Sequence, residues 1–191
     1  MIAIGGGGYV PARILRSFLK KSGSPNIPIQ AIGLSLYEDL PPSATPGTST
    51  PTTEQPPKVT GQEVEVPGTK VTRTQWLDLT SLGEMGNLVG KRILIVDEVD
   101  DTRTTLEYAV KELEKDVEAA RIKLGINAPE TKFSIFVLHN KEKQKKGTLP
   151  EDMLRERYLA ARTVGDLWIC YPWEATDIEE HDRLAKESSG M

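Results

Sequence analysis

Nine consecutive residues carry most of the chemistry this chain can offer: Asp97-Glu98-Val99-Asp100-Asp101-Thr102-Arg103-Thr104-Thr105. They follow directly on Ile93-Leu94-Ile95-Val96, four aliphatics that predict a buried strand. Carboxylates at a strand end can hold sugar hydroxyls, or a magnesium ion through water. The hydroxyls of Thr102, Thr104 and Thr105 lie where a helix is expected to begin. A helix N-terminus offers unpaired N–H groups and partial positive charge, which suits phosphate. In open α/β sheets, ligands bind beyond the carboxyl ends of the strands. A helix cap alone is the competing account, since Thr104 and Glu107 have capping-box spacing. Four carboxylates within residues 97–101 repel one another, and a plain cap needs only one.

The surrounding elements must position that segment. Met1-Ile2-Ala3-Ile4 reads as a short buried strand running straight into Gly5 to Gly8. A strand that opens a chain lacks the usual lead-in, so an N-terminal segment present in relatives is expected to be missing. Pro11 opens a helix to about Lys20, with Ile14, Leu15, Phe18 and Leu19 predicted on its buried face. Ile27 to Leu36 reads as a strand buried on both sides, and Val64 to Trp76 as a returning strand pair. Between them, PPSATPGTSTPTTEQPP has almost nothing to bury and is expected to be a mobile insertion, bounded at 41–68. Leu106, Val110, Leu113, Val117, Ala120 and Leu124 form one helical stripe over Thr104 to Leu124. Phe133 to Leu138 is a further strand, Lys141 to Lys146 a basic run expected as a solvated loop, and Trp168 to Trp173 an aromatic strand and turn. A polar helix closes the chain. This order predicts an α/β fold: a mostly parallel central sheet flanked by helices.

Composition narrows the class. The chain has 191 residues, 38% hydrophobic and 27% charged, enough apolar material for one packed domain. One cysteine, Cys170, excludes a disulfide framework and a cysteine-built zinc site, and a reducing compartment is the default. The formal net charge of −4 argues against a nucleic-acid surface spread over the molecule. No apolar run approaches the ~18 residues of a membrane span.

VDEVDDTRTT resembles the phosphoribosyl-diphosphate (PRPP) motif of the type I phosphoribosyltransferases. AIGGGGYVPARIL is similar to that family's pyrophosphate loop, LSLYEDL to the start of its catalytic lid, and WICYPWEATDIEEH to the hood that covers the base in the xanthine/hypoxanthine-guanine branch. The resemblance covers almost the whole chain, 1–191, except the Pro/Thr-rich insertion, which falls within the lid region. It implies the type I phosphoribosyltransferase fold with a small C-terminal hood at 158–178 and a flexible lid. It also implies an enzyme that transfers the phosphoribosyl group of PRPP to xanthine, hypoxanthine or guanine, with Mg2+ as cofactor, in the cytoplasm, as a homodimer or larger assembly.

The resemblance carries roles residue by residue. Asp97 and Glu98 match the acidic pair that binds the ribose hydroxyls, near the magnesium that PRPP brings. Asp101 matches the general acid/base that faces the five-membered ring of the purine. Thr102, Arg103, Thr104 and Thr105 match the turn around the 5′-phosphate. Gly7 and Gly8 match the glycines that admit pyrophosphate, Tyr37 the lid tyrosine, and Arg73 the basic residue where the lid returns. Trp168 matches the aromatic that stacks on the purine, Ile169 the backbone contact to its edge, and Glu174 an acidic hood residue that binds the purine by helping to read the ring's substituents. A cation against the six-oxo group is expected after strand Phe133–Leu138; Lys141 is preferred, with His139 as rival. Arg103 stands where the motif usually has glycine, so it either adds charge to the phosphate site or reshapes the turn. On residues alone, several of these positions have ordinary accounts: a tryptophan in an apolar strand is commonly core, Tyr37 could be strand-end packing, and Arg73 a surface charge. Two further readings stand beside the enzyme: a regulator of the same fold that senses PRPP or nucleotides, and an inactive paralogue.

Overall fold

The fold is described from a computed structural model covering residues 1–38, 69–76, 88–125, 127 and 130–188; the side chains of 35–38, 69, 70 and 124 lie outside it. In chain order the elements are β1 (Ile2–Ile4), α1 (Tyr9–Leu19), β2 (Gln30–Glu38), β3 (Thr69–Gln75), β4 (Arg92–Asp100), α2 (Thr104–Leu124), β5 (Lys132–Lys141), α3 (Glu151–Glu156), β6 (Tyr158–Val164) and α4 (Ile178–Ser188). The strands form one sheet in the order β3-β2-β1-β4-β5-β6, parallel throughout except for the β2–β3 pair.

Strand β1 shows why this chain start matters. Ile2, Ala3 and Ile4 are all buried, because β1 lies between β2 and β4 with a helix on each face. From β1 the chain passes through α1 outward to β2, and from β4 it passes through α2 outward in the other direction to β5. The two crossovers therefore diverge at the β1/β4 boundary, and a crevice opens at the carboxyl ends of those two strands. Side-chain alternation along β4 divides its aliphatics between two cores. Ile93 and Ile95 join Leu106, Val110 and Leu113 of α2, while Val96 packs with Ala3 and with Ala12 of α1.

Helix α2 matches its predicted span. Leu106, Val110, Leu113 and Val117 are buried, Ala109 joins them, and Ala120 is partly buried. Gly125 ends it in the left-handed conformation (φ 60°), where its N–H reaches the carbonyls of Arg121 and Ile122.

Helix α1 corrects the expected face. Pro11 and Ala12 are its buried residues, whereas Ile14 and Phe18 are 52% and 82% exposed and Leu19 is also exposed; only Leu15 packs partly onto the core. The cause is the close approach of its first turn to the sheet. A Cβ on Gly8 would lie 2.4 Å from the Val96 carbonyl oxygen and 2.7 Å from that of Ile4. A helix held that close by its glycine seats small residues against the sheet and turns its larger ones outward.

Other boundaries shift for similar tertiary reasons. Strand β2 starts three residues later than expected; Ile32 is fully buried, but Ala31, Gly33 and Leu34 are only partly so, because the edge strand β3 covers this side. Of the expected return over 64–76, Thr69–Gln75 is a single antiparallel strand, and 64–68 lie outside the described residues, as does the 41–68 insertion. The stretch 168–173 is not a strand. The sixth strand is Tyr158–Val164, at the start of the segment assigned to the hood, and it pairs with β5 from Ile135↔Tyr158 to Lys141↔Val164. Its sequence, YLAARTV, shows no alternation of apolar and polar residues, since it is an edge strand with mostly exposed side chains.

Two substitutions separate the packed helix from the exposed one. Leu113→Ala is expected to lower unfolding free energy by about 2–5 kcal/mol. Phe18→Ala is expected to change it by no more than ~0.5 kcal/mol. Urea titrations of both variants check this; a large loss at Phe18 would mean that α1 packs by its apolar face after all.

Candidate functional site

Strand β4 extends through the carboxylates rather than ending before them, so Asp97 to Asp100 are strand residues and the helix starts at Thr104. A cavity of about 630 Å3 opens there, at the topological switch. Gly5, Asp97, Glu98, Val99, Asp101, Thr102, Arg103, Thr105 and Trp168 are among its lining residues. The carboxylates, the expected phosphate turn and the hood tryptophan, distant in sequence, thus share one cavity.

Glycines set the width of this crevice. A Cβ on Gly7 would fall 1.8 Å from the carboxyl carbon of Glu98, so the Glu98 side chain occupies the space that a larger residue at 7 would fill. The Oε2 of Glu98 is buried without a hydrogen-bond partner. Asp97 is also buried, and its Oδ1 accepts the Glu98 main-chain N–H at 3.0 Å. Burial, and then the neighbouring Glu98, push the Asp97 carboxyl well above the usual carboxylate range. Two crowded acids with an unpartnered buried oxygen can accept hydrogen bonds from sugar hydroxyls or face a hydrated cation.

The turn after them is organised by Asp100. Its side chain has no exposed surface. Oδ2 accepts hydrogen bonds from Arg103 Nε at 3.0 Å, Arg103 Nη2 at 2.9 Å and the Tyr158 hydroxyl at 2.7 Å. Lys145 Nζ lies 3.5 Å from Oδ1 and donates to the main-chain carbonyls of Asp100 (2.7 Å) and Asp101 (2.9 Å). The main-chain N–H groups of Lys146 and Gly147 both donate to the Thr102 carbonyl at 3.0 Å. Arg103 itself has φ 69°, the one left-handed non-glycine among the described residues. For an arginine that conformation costs on the order of 1–2 kcal/mol, which the ion pair to Asp100 offsets. Thr102 and Thr104 share a hydroxyl–hydroxyl hydrogen bond at 3.1 Å.

Asp101 lies at the mouth, with its side chain 42% exposed. Lys141 Nζ is 3.3 Å from its Oδ2 and Lys143 Nζ 3.0 Å from its Oδ1. Burial works to raise its pKa, but the two ammonium groups, Lys143 before Lys141, outweigh that and hold the carboxyl below the usual range. The expected solvated basic loop is therefore a set of site residues: Lys141 is buried, Lys143 also pairs with Asp166 at 2.9 Å, and Lys145 braces the turn. A basic run is ordinarily a solvated face, and nothing in its spacing signals that it folds back onto β4.

The hood is pinned by a residue that the sequence did not single out. The Tyr171 hydroxyl donates to the Glu98 carbonyl at 3.0 Å and lies 2.9 Å from His139 Nδ1, and its ring stacks on Trp173 (centroids 4.9 Å, planes 7° apart). His139 is thus engaged with Tyr171, while Lys141 is the one beside Asp101. Trp168 is 90% exposed, so it is not a core residue. It lines both the carboxylate cavity and a second cavity of about 630 Å3 between the hood and α4; Ile169 and Glu174 line only the second. Glu174 Oε2 accepts the Tyr171 main-chain N–H at 3.1 Å, which holds the hood turn.

No protein-family model matches the chain. Curated relatives do. A hypoxanthine-guanine phosphoribosyltransferase of Schizosaccharomyces pombe is 56% identical over 182 residues, covering 95% of this chain and 79% of that protein. Xanthine phosphoribosyltransferase 1 of Saccharomyces cerevisiae is 55% identical over 188 residues, 97% of this chain and 81% of that one. The chain belongs to the purine phosphoribosyltransferases. Among solved structures, a hypothetical protein from Neisseria gonorrhoeae with bound ppGpp is 37% identical with a TM-score of 0.65, covering 98% of this chain and 80% of that chain. A purine phosphoribosyltransferase from Pyrococcus horikoshii, 23% identical with a TM-score of 0.50 and covering 92% of this chain and 77% of that chain, shares the fold.

In this purine phosphoribosyltransferase, the two expected lid residues fall apart from the cavity or outside the description. Tyr37 pairs with Lys70 across β2 and β3, and its side chain lies outside the described residues. Arg73 docks β3 onto α2: Nε donates to the Tyr108 hydroxyl at 2.8 Å, Nη2 pairs with Glu112, and the guanidinium sits 4.2 Å over the Trp76 ring. Gly7, Gly8, Asp97, Glu98, Asp101, Thr102, Arg103, Thr104, Thr105, Lys141 and Trp168 converge on or beside the crevice.

Replacing Lys143 by Met removes the stronger of the two hydrogen-bonding ammonium groups beside Asp101. Its carboxyl is expected to titrate at higher pH than in the unmodified protein. An NMR titration of the Asp101 carboxyl carbon reads this; an unchanged midpoint would show that the pair does not form in solution.

Proposed function

We propose that this protein converts PRPP and an oxopurine into the purine nucleoside monophosphate and pyrophosphate, as purine salvage requires. The observation that carries this reading is the single cavity that combines the Asp97–Glu98 pair, Asp101, the hydroxyl-rich helix start and the exposed Trp168. Making a nucleoside monophosphate calls for all four: a sugar site, a group at the reacting ring, a phosphate turn and an aromatic face for the base. The relatives' names, with xanthine on one and hypoxanthine-guanine on others, support the oxopurine class. Xanthine is the favoured base, with hypoxanthine and guanine as further substrates.

In this reading Asp97 and Glu98 hold the ribose hydroxyls. Their carboxylates face a transition state with oxocarbenium character, in which pyrophosphate leaves the anomeric carbon as a purine ring nitrogen attacks. Asp101 receives the proton of that nitrogen, and its position between Lys141 and Lys143 favours the ionised form that can accept it. Lys141, 3.3 Å from Asp101, is placed to donate to the six-oxo oxygen of the base. An amino group there would meet a donor, which disfavours adenine. Trp168 stacks on the base, Ile169 offers main-chain groups to its edge, and Glu174 acts by holding the hood turn. The N–H groups and hydroxyls of Thr102 to Thr105 hold the 5′-phosphate, and Gly7 and Gly8 leave room for pyrophosphate.

Among the described residues no group of three or more His, Cys, Asp or Glu forms a self-sufficient metal site. The cation would therefore arrive on PRPP. The unpartnered Oε2 of Glu98 and the adjacent Asp97 fit it through water. When bound, magnesium neutralises charge on the departing pyrophosphate. The remaining parts of the reading are a lid beginning at Tyr37 that excludes water, with Arg73 anchoring β3 to α2 at its base, a homodimer or larger assembly, and a cytoplasmic enzyme. No described helix is long and apolar enough to cross a membrane.

The test is direct. Purified protein with magnesium and PRPP is offered xanthine, hypoxanthine, guanine and adenine separately, and nucleotide formation is followed. Product from one or more oxopurines, little from adenine, and a loss of at least ~10^2-fold in Asp101→Asn are expected. Absence of product from every base would favour a sensor of PRPP, which a melting shift with PRPP and no turnover would identify. Gly7→Ala, which displaces the Glu98 carboxylate, is expected to weaken PRPP use by about tenfold or more; unchanged kinetics would place the sugar elsewhere.

A further inference from the structure

We propose that the side chain of Arg103 positions the phosphate turn, acting through Asp100, and that its guanidinium is not a ligand of the phosphate. The inference rests on the phosphoribosyl-transfer reading of the cavity and adds a role to a residue whose sequence position leaves two roles open.

The geometry points that way. Both Nε and Nη2 of Arg103 are committed to one oxygen of a carboxylate with no exposed surface. The guanidinium carbon lies 5.5 Å over the ring of Tyr158, whose hydroxyl donates to the same oxygen. The arginine side chain is itself only 14% exposed. Reaching a phosphate would strip Asp100 of two of its three donors at Oδ2 and leave a buried charge poorly compensated. The opposite side of the turn is equally committed. Lys145 holds the Asp100 and Asp101 carbonyls, and the N–H groups of Lys146 and Gly147 hold the Thr102 carbonyl. A Cβ on Gly147 would lie 2.6 Å from the Arg103 carbonyl, so this loop lies flush against the turn. Main chain from 100 to 104 is thereby clamped from below by a side-chain cluster and from the flank by a loop.

That clamp explains an arginine where the conformation favours glycine. Glycine would adopt φ 69° without strain but would leave Asp100 dependent on Tyr158 and Lys145. Arginine accepts the strained backbone and supplies the fork that neutralises the acid. The product is a helix start whose free N–H groups and threonine hydroxyls are fixed before the ligand arrives. A preorganised turn improves binding of the phosphate-bearing substrate without touching the reacting atoms.

The two roles make opposite predictions for Asp100. If Arg103 positions the turn, Arg103→Gly and Asp100→Asn should each raise KM for PRPP by about tenfold while kcat and the KM for the base change by less than ~2-fold. The double variant should then be no worse than the worse single one, because both remove the same interaction. If Arg103 instead binds phosphate, Asp100→Asn frees it and leaves KM for PRPP unchanged or lower; that result would overturn the proposal, as would a fall in kcat without a change in KM. Arg103→Lys keeps the charge and loses the fork, so it should resemble Arg103→Gly; recovery to wild-type KM by Lys would also overturn it. Should Asp100→Asn fail to fold, Tyr158→Phe deletes a single donor to Asp100 and should raise KM for PRPP in the same direction; no change there would count against the proposal. A wild-type protein that makes no nucleotide would refute the functional reading itself, whereas an active wild type with unresponsive variants would refute only this role.

Discussion

A carboxylate with no exposed surface, Asp100, lies at the end of a central strand, and the functional half of the molecule is arranged around it. Burying that charge is tolerable only if donors surround it. Its hydrogen-bond donors are Arg103 three residues on and Tyr158 from the first position of β6, both on Oδ2, and Lys145 from the loop after β5 adds a charge 3.5 Å from Oδ1. Neutralising one acid therefore ties the turn, the basic loop and the edge strand into a single unit. It also fixes the left-handed arginine that starts α2, and so the direction in which that helix presents its first N–H groups.

The same strand end places two other carboxylates in contrasting surroundings. Asp97 is buried beside Glu98 and is pushed upward, whereas Asp101 is half exposed between two lysines and is held down. Acids within five residues of one another thus reach opposite proton affinities because the strand carries the first inward and the turn carries the last outward. Lys143 bridges Asp101 to Asp166, and Tyr171 joins the hood to the Glu98 carbonyl. Hood and acid cluster are in this way mechanically coupled through polar contacts rather than through an apolar interface. That leaves Trp168 free to present its ring to a cavity.

Much of this was legible in the chain itself. Four aliphatics, a run of acids and a hydroxyl-rich helix start specify a strand, its carboxyl end and a phosphate-type turn, because each depends on local chemistry and spacing. The period of α2 determined its buried stripe, whereas the tight seating of Gly8 against β1 and β4, where a Cβ would lie 2.4 Å from the Val96 carbonyl oxygen, is a tertiary fact. Polarity misled where contacts were remote. Lys143 and Lys145 read as part of a solvated run, since no local pattern shows that they return to Asp101 and Asp100, and Lys141 stood out from that run only through the family resemblance. The edge strand β6 hid for the related reason that mostly exposed side chains leave no buried stripe to find.

By itself, then, the sequence determined the α/β alternation and the acidic strand end that runs into a hydroxyl-rich helix start. Only the tertiary structure decided which face of α1 is buried, that Arg73 clamps β3 to α2, that Tyr171 rather than Glu174 contacts β4, and that Arg103 turns toward Asp100. The division has one physical cause. Strand and helix periods are properties of neighbouring residues, whereas the partner of a buried charge is whichever donor the sheet order brings beside it, and that donor can lie 45 or 58 positions away.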